Sequence, residues 1–334
     1  MKRALLCSAF AALLTGCGLC PSPPSAATGT AARYPITDVA TAPATPVRNQ
    51  AKSGTCWAFG GVSLIESEAI RTRRCTLDLS EMWVVRHAYF EKAVKYVRTR
   101  GRVAFDQGGE IQDVLWLVDR YGIVPQSLYE GGAADGTYDH ASLAKAIRRL
   151  AKRIVDKKLY EKEHWQRMID EELDRRLGAR PDRFVIDGVA YTPFSYADSI
   201  GFRRDDYVAL TSFTHHPFFE RFVLEIPDNW AAHATLNIPL DSLMRLLDSA
   251  LAAGYTAAWD TDVSERGFGR RAGIALLPQQ EERITLPAPE IVVDQPLRQR
   301  MFDTQATTDD HVMHIVGTAV DSLGNSYYKV KNSW

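Results

Sequence analysis

Residues 48–59 read RNQAKSGTCWAF, and this stretch decides the fold. The apolar residues that follow Cys56 recur at the spacing of an amphipathic helix, namely Ala58, Val62, Ile65 and Ala69. Ser53 or Thr55 is placed to cap that helix, which puts Cys56 in its first turn. Backbone N–H groups and the helix dipole lower a thiol pKa there. The stretch therefore predicts a nucleophilic cysteine rather than one that packs as a small apolar residue. The side-chain amide of Gln50, upstream in the same stretch, can donate to an oxyanion.

Residues 309–334 read DDHVMHIVGTAVDSLGNSYYKVKNSW and predict a β-hairpin. Alternating apolar residues from His311 onward indicate a strand, residues 321–325 a turn, and residues 326–332 a second strand. Folding the hairpin about residues 321 and 322 places His311 opposite Asn332, with a bulge close to the turn. A base whose tautomer is fixed by an amide is the arrangement that a cysteine nucleophile needs.

Pairs of histidines raise the alternative of a metal site. His311 and His314 are three residues apart, so on one strand they face opposite sides and chelate poorly. His215 and His216 precede Pro217 and several aromatic residues, which favours a packed turn that leads into a strand. The sequence therefore predicts no metal site.

The order of these residues along the chain resembles that of the papain-like cysteine peptidases. Gln50 stands six residues before Cys56-Trp57, and His311 stands six residues before Gly317, as in that family. The chain then closes its motif with Asn332-Ser333-Trp334. The resemblance implies Cys56 as nucleophile, His311 as base, Asn332 as the residue that orients it, and Gln50 as oxyanion donor. Trp334 would shield the His311–Asn332 bond and border the substrate site.

Gly108 and Gly109 resemble the edge of these peptidases along which a peptide lies as an added strand, although a plain turn is an alternative. The segments 206–208, 212–218, 227–230 and 262–265 narrow the resemblance to the branch of aminopeptidase C and bleomycin hydrolase. The long spacing between Gly109 and His311 supports the same branch.

The resemblance implies an α+β, papain-like fold of two lobes across residues 35–334. Residues 56–125 would form a helical lobe, residues 140–180 a large helical insertion, and residues 183–334 a strand-rich, β-barrel-like lobe. Relatives continue beyond Asn-Ser-Trp with further strands and a tail that sets aminopeptidase action. We therefore expect a truncated C-terminus, with residues 326–334 as an exposed sheet edge.

The N-terminal residues predict export and lipidation. Lys2 and Arg3 precede the run ALLCSAFAALL at 4–14, which fits a signal peptide and is too short to span a membrane. The following Leu-Thr-Gly-Cys resembles a bacterial lipoprotein signal, in which residues 1–16 are removed and Cys17 is acylated. Ordinary cleavage nearby is the alternative. Residues 17–34 read as a linker, so we expect a lipoprotein of the cell envelope, on the outer membrane of a Gram-negative cell.

Composition limits the partners. Forty basic and forty-one acidic residues give a net charge of −1, which argues against nucleic-acid binding. We predict a cysteine peptidase with aminopeptidase-like action on peptide or protein substrates. It would form an acyl-enzyme with a Cys-His-Asn site and need neither a metal nor an organic cofactor. Homo-oligomers would follow from the resemblance alone. The alternatives are a non-catalytic peptide-binding lipoprotein on the same scaffold and a transglutaminase-like acyltransferase.

Overall fold

A computed structural model describes the backbone of residues 3–7 and the complete residues 35–132, 137–279 and 289–334. The helices are α1 Cys56–Arg73, α2 Glu81–Arg98, α3 Ile111–Tyr121, α4 Ala141–Asp156, α5 Lys162–Leu177, α6 Pro193–Ser199, α7 Leu240–Ala252 and α8 Gln295–Asp303. The strands are β1 Arg3–Cys7, β2 Ile36–Thr41, β3 Phe184–Ile186, β4 Val189–Tyr191, β5 Leu210–Thr211, β6 Arg221–Val223, β7 Ala234–Asn237, β8 Ala257–Thr261, β9 Phe268–Gly269, β10 Ile274–Ala275, β11 His311–Asp321 and β12 Ser326–Lys331.

Helices α1 to α5 share one apolar core. Helix α1 packs against α2 and α3, and α2 also packs against α4 and α5, which occupy the predicted helical insertion. The side chain of Ser80 caps α2 by accepting from the Trp83 N–H at 3.0 Å. The predicted cap of α1 is wrong, because Thr55 occupies the N-cap position without a side-chain hydrogen bond to the helix. Its hydroxyl is instead 2.6 Å from that of Ser53.

Strand β11 is the centre of the larger sheet. It pairs with β12, β2 and β8, and the sheet continues from β12 through β1 and β10 to β9. Helix α1 lies against β11, so the strand that begins at His311 and the helix that begins at Cys56 meet. This contact places the predicted nucleophile and base at the junction of the two lobes.

The hairpin of β11 and β12 has a register that the sequence did not predict. His314 pairs with Lys331 and Ile315 with Val330, and a bulge separates Ile315 from Gly317. The ladder is therefore shifted from the predicted one by three residues beside the turn, which is centred on Leu323, and by two residues beyond the bulge, which takes up one extra residue of β11. His311 pairs with Thr261 of β8 instead.

The edge of β12 is covered in this structure. Residues 3–7, which the sequence assigns to a signal peptide, run parallel to residues 326–330 and antiparallel to β10. The expectation that residues 326–334 form an exposed edge is therefore wrong for the chain with these residues in place. The rest of the predicted signal and linker, including Cys17, lies outside the described residues. Within the part of the chain that the structure describes, every helix is too short or too polar to cross a membrane.

Candidate active site

Cys56 is a half-buried residue at the start of α1. The pKa of its thiol is raised to about 11, mainly by burial and to a smaller extent by the carboxylates of Asp260 and Asp228. Hydrogen bonds with the backbone of Val312 and Trp57 lower it only in part. The expected lowering of this pKa is therefore wrong in sign, because desolvation of a thiolate outweighs the favourable helix start.

His311 and Asn332 lie within hydrogen-bonding distance. Nε2 of His311 donates to Oδ1 of Asn332 at 2.8 Å, which leaves Nδ1 as the proton acceptor. Burial lowers the pKa of His311 and the charge of Arg270 lowers it too, whereas the bond to Asn332 raises it. The backbone N–H of Ser333 donates to the same amide oxygen at 2.7 Å, and this second bond helps to fix the orientation of the Asn332 side chain.

Trp334 covers the imidazole of His311. The two rings stack with their centroids 4.5 Å apart and their planes 28° from parallel. The guanidinium of Arg270, an exposed residue, lies 3.8 Å from the centroid of the Trp334 indole. Trp334 is thus placed to keep water from the His311–Asn332 bond.

Gln50 connects the cysteine loop, residues 50–55 before Cys56, to the last residues of the chain. Its Nε2 donates to the carbonyl of Ser53 at 2.7 Å, and its Oε1 accepts from the hydroxyl of Ser333. The backbone N–H of Gln50 donates to the carbonyl of Ser333 at 2.8 Å. Since an amide nitrogen carries two hydrogens, one remains for an oxyanion. The side chain is 6% exposed, so its orientation is fixed by these bonds.

Gly108 and Gly109 lie on a loop fastened to the cysteine loop. Gln107 accepts from the Gly54 N–H at 2.8 Å through its side chain and from Trp57 Nε1 at 3.0 Å through its carbonyl. A Cβ on Gly108 would meet Asp228 Oδ2 at 2.0 Å, and one on Gly109 would meet the carboxylate of Asp113 at 2.9 Å. The space that these glycines leave is therefore filled by the protein's own carboxylates.

Three carboxylates beside this loop were missed by sequence reasoning. Oxygens of Glu110, Asp260 and Asp309 lie within 4.8 Å of one another. Burial is the main cause that raises the pKa of Asp260 to about 8, that of Asp309 to about 6 and that of Glu110 well above its usual range. The three carboxylates come from separate segments of the chain. The signals in the sequence are that Glu110 follows Gly109 and that Asp309 stands two residues before His311.

The other histidine pair has a different environment. Nε2 of His215 and Nε2 of His216 donate to the carboxylate of Glu225 at 3.1 and 2.8 Å, and the two rings stack on Phe302 and Phe222. The aromatic contacts are those of the packed turn that the sequence predicts. The three polar side chains lie close enough together to hold a cation.

Residues 35–168 match the family described as papain family cysteine protease. The helices and sheets described above form the α+β, papain-like fold that the sequence predicts.

The chain is similar to aminopeptidase C. It is 23% identical to aminopeptidase C of Lactococcus lactis subsp. cremoris over 86% of this chain and 74% of the relative. The protein of the same name from Lactococcus lactis subsp. lactis is 22% identical over the same shares. The crystal structure of PepW from Lactobacillus rhamnosis superposes with a TM-score of 0.63 at 18% identity, over 91% of this chain and 76% of that one.

Proposed function

We propose that the chain hydrolyses peptide bonds through an acyl-enzyme on Cys56 and acts on substrates with a free N-terminus, as the name of its relatives indicates. The observation that carries the proposal is the 2.8 Å bond from His311 to Asn332, on the strand that packs against the helix of Cys56. This bond selects the tautomer in which Nδ1 of His311 accepts a proton.

The proposed reaction has two steps that share one proton carrier. Cys56 Sγ attacks the peptide carbonyl carbon while its proton passes to Nδ1 of His311. The C–N bond then breaks, and the proton leaves with the amine. Water attacks the thioester, gives a proton to His311, and releases the acid as that proton returns to Sγ.

Gln50 and the backbone N–H of Cys56 supply the proposed oxyanion site. The bonds of Gln50 to Ser53 and Ser333 hold its amide before the substrate arrives, so it needs no reorientation as charge develops. One such donor is typically worth about 2.7–4 kcal/mol of transition-state stabilisation. Trp334, stacked on His311, would keep the reacting groups dry.

The test compares hydrolysis of a peptide amide with a free N-terminus and its N-acetylated counterpart. We expect turnover of the free form, its loss in Cys56→Ala, and much slower turnover of the acetylated form. Cys75, the other free cysteine of the described residues, provides the matched control Cys75→Ala, which should retain activity. Equal activity of the wild type and Cys56→Ala would contradict the mechanism. Preferential turnover of the acetylated form would replace aminopeptidase with endopeptidase action.

A second candidate is a peptide-binding protein that retains the fold without turnover. The raised pKa of Cys56 favours it, because a thiol near 11 holds little thiolate at neutral pH. Tight binding of the same peptides without any product in the assay above would establish this second function.

We also propose that the protein is anchored to the cell envelope through an acylated Cys17. Cleavage before this residue would remove β1 and leave one side of β12 unpaired, so the mature and full-length chains should differ in stability. Mass spectrometry of the N-terminus in membrane fractions tests the anchor. We expect an acylated Cys17 and release of the protein by Cys17→Ala; an unmodified Cys17 would refute it.

A further inference from the structure

Glu110, Asp260 and Asp309 form a cluster of three acidic side chains from separate segments of the chain. Their oxygens lie within 4.8 Å of one another, and Glu110 is only 9% exposed. Among the described residues, no donor binds Oε1 of Glu110, nor Oδ2 of Asp309. A buried carboxylate oxygen without a donor is costly, so these atoms are matched to a ligand that brings N–H donors.

The buried ammonium group of Lys92 is bound by the loop that carries Gly108. Nζ of Lys92 donates to the carbonyls of Asp106 and Gly108. Burial is the largest cause that raises the pKa of Glu110, and Asp260 is the next. The carboxylates of Asp113 and Asp228 raise it by smaller amounts. Further acidic side chains therefore surround the cluster.

The cluster borders the nucleophile. Glu110 follows Gly109 directly, and Asp309 stands two residues before His311. Asp260 pairs on the sheet with Val312, whose backbone bonds the Cys56 thiol, and the charge of Asp260 acts on that thiol. A group held by the three carboxylates would therefore belong to a molecule that lies across Cys56.

We infer that Glu110, Asp260 and Asp309 form a subsite for a primary ammonium group of the peptide substrate. An ammonium group carries three N–H donors and no acceptor, which matches three converging carboxylates. It can come from the free N-terminus or from a lysine side chain. The inference rests on the proposed peptidase function and names the chemistry that this site selects.

Binding should release protons. Burial raises the pKa of Asp260 to about 8, so the empty cluster holds a proton there at pH 7, and an ammonium group would displace it. The further charged groups that act on the cluster are Asp113 of α3, Asp228 in the loop before β7, and Asp310 before β11.

Calorimetry on the inactive Cys56→Ala protein tests the subsite without turnover. Four peptides of one sequence separate the sources: free or acetylated N-terminus, each with lysine or norleucine in the residue next to the scissile bond. We expect one ammonium source to tighten binding at least about tenfold, the size of a charge-assisted contact in a partly buried site. The heat should also vary with the ionisation enthalpy of the buffer as protons leave. Equal affinity for all four peptides would overturn the inference.

Variants assign the effect to the cluster. Glu110→Gln and Asp309→Asn should each remove the preference for the ammonium form, whereas Asp205→Asn, which neutralises an exposed carboxylate outside the cluster, should retain it. Having two cluster variants keeps the test informative if one of them does not fold. Calcium chloride is the competing probe: tight calcium binding that excludes the amine peptides would show a metal site and overturn the inference.

Kinetics separate this inference from the proposed function. If the wild type cleaves acetylated norleucine peptides as well as the ammonium forms, the peptidase proposal stands and the subsite is wrong. If it cleaves nothing but binds the ammonium peptides selectively, the subsite stands and the peptidase proposal is wrong.

Discussion

Cys56 and His311 are placed so that both prefer to be neutral at rest. Burial raises the pKa of the thiol and lowers that of the imidazole, so transfer of the proton between them is unfavourable before a substrate is present. A substrate carbonyl changes this balance, because the thiolate charge passes to an oxygen that Gln50 can stabilise. The site therefore generates its nucleophile during attack.

The pH dependence of alkylation measures the pKa of the Cys56 thiol. We predict that the rate at which iodoacetamide labels Cys56 keeps rising with pH beyond 9, since its pKa is about 11. Asp260→Asn should accelerate labelling only above about pH 8, where the wild-type carboxylate becomes charged and opposes the thiolate. Each unit by which the substitution lowers the thiol pKa gives about a tenfold gain in thiolate.

Site-resolved mass spectrometry follows Cys56 and Cys75 in the same sample, and Asp205→Asn controls for net charge. A labelling rate for Cys56 that is already constant at pH 6 would show a resting thiolate and contradict this prediction.

The hydroxyl of Ser333 is predicted to position the oxyanion donor. Ser333→Ala removes the bond to Gln50 Oε1, so the amide can rotate while the backbone link between the two residues remains. We expect kcat to fall about 5- to 30-fold, corresponding to about 1–2 kcal/mol for a buried hydrogen bond, with KM little changed. Ser322→Ala, in the exposed turn of the hairpin, is the matched control. A rise in KM at constant kcat would show a role in binding instead.

At the scale of elements, α1 approaches its neighbours through two glycines. A Cβ on Gly60 would lie 2.6 Å from Val312 Cγ1 of β11, and a Cβ on Gly61 would lie 2.5 Å from Val114 Cγ2 of α3. The helix can therefore lie against the strand that carries His311 only because these positions lack side chains. This contact sets where Cys56 sits relative to the base.

Gly61→Ala should destabilise the fold. Overpacking costs about 1–3 kcal/mol, which exceeds the gain of about 1 kcal/mol for replacing glycine with alanine in a helix. We expect a net loss of about 1–2 kcal/mol in urea unfolding. Val114→Ala removes the side chain that the new methyl group meets, so the double variant should lose less than the sum of the single ones. Strict additivity would contradict the steric explanation.

The sequence predicts the parts of this site that depend on local residues. It does not predict the hairpin register, the acidic cluster or the pKa of Cys56. Residues 48–59 and 309–334 indicate the helix start, the hairpin and the residue types of Cys56, His311 and Asn332, because each depends on near neighbours. The register of the hairpin depends on pairing with β8 and β2, and the acidic cluster on three segments that meet only in the folded chain. The pKa of Cys56 likewise depends on burial by β11, which the pattern of its own helix does not contain.

For the whole molecule, buried titratable groups divide into two sets with opposite effects on stability. Burial raises the pKa of the carboxyls of Glu81 and Asp260 to about 8. It lowers the pKa of the imidazoles of His140 and His314 to about 4 and about 3. The histidines are easier to protonate in the unfolded chain, so they make the protein more stable as pH rises to about 6.5 and have no further effect above it.

The carboxylates act in the other direction and over a wider range. Glu81 and Asp260 bind protons more tightly when folded, so their contribution is complete below about pH 4 and is lost as pH rises through about 8. Between pH 6.5 and 8 the histidines no longer change their charge, and Lys92, whose pKa is lowered to about 8, begins to act only at the upper end. We therefore predict that the free energy of unfolding falls from pH 6.5 to 8, by up to about 1.4 kcal/mol per pH unit for each such carboxyl.

Chemical denaturation at pH 6.5, 7.25 and 8 measures this slope. Glu81→Gln and Asp260→Asn should each flatten it, because an amide retains a hydrogen-bonding group but has no charge to desolvate. Their effects should add, since Glu81 lies at the start of α2 and Asp260 on β8, and neither acts on the pKa of the other. Asp205→Asn, an exposed site, should leave the slope as it is in the wild type. A stability that rises over this range in the wild type would mean that the two carboxyls are charged in the folded protein, and burial would then not be the force that sets their protonation.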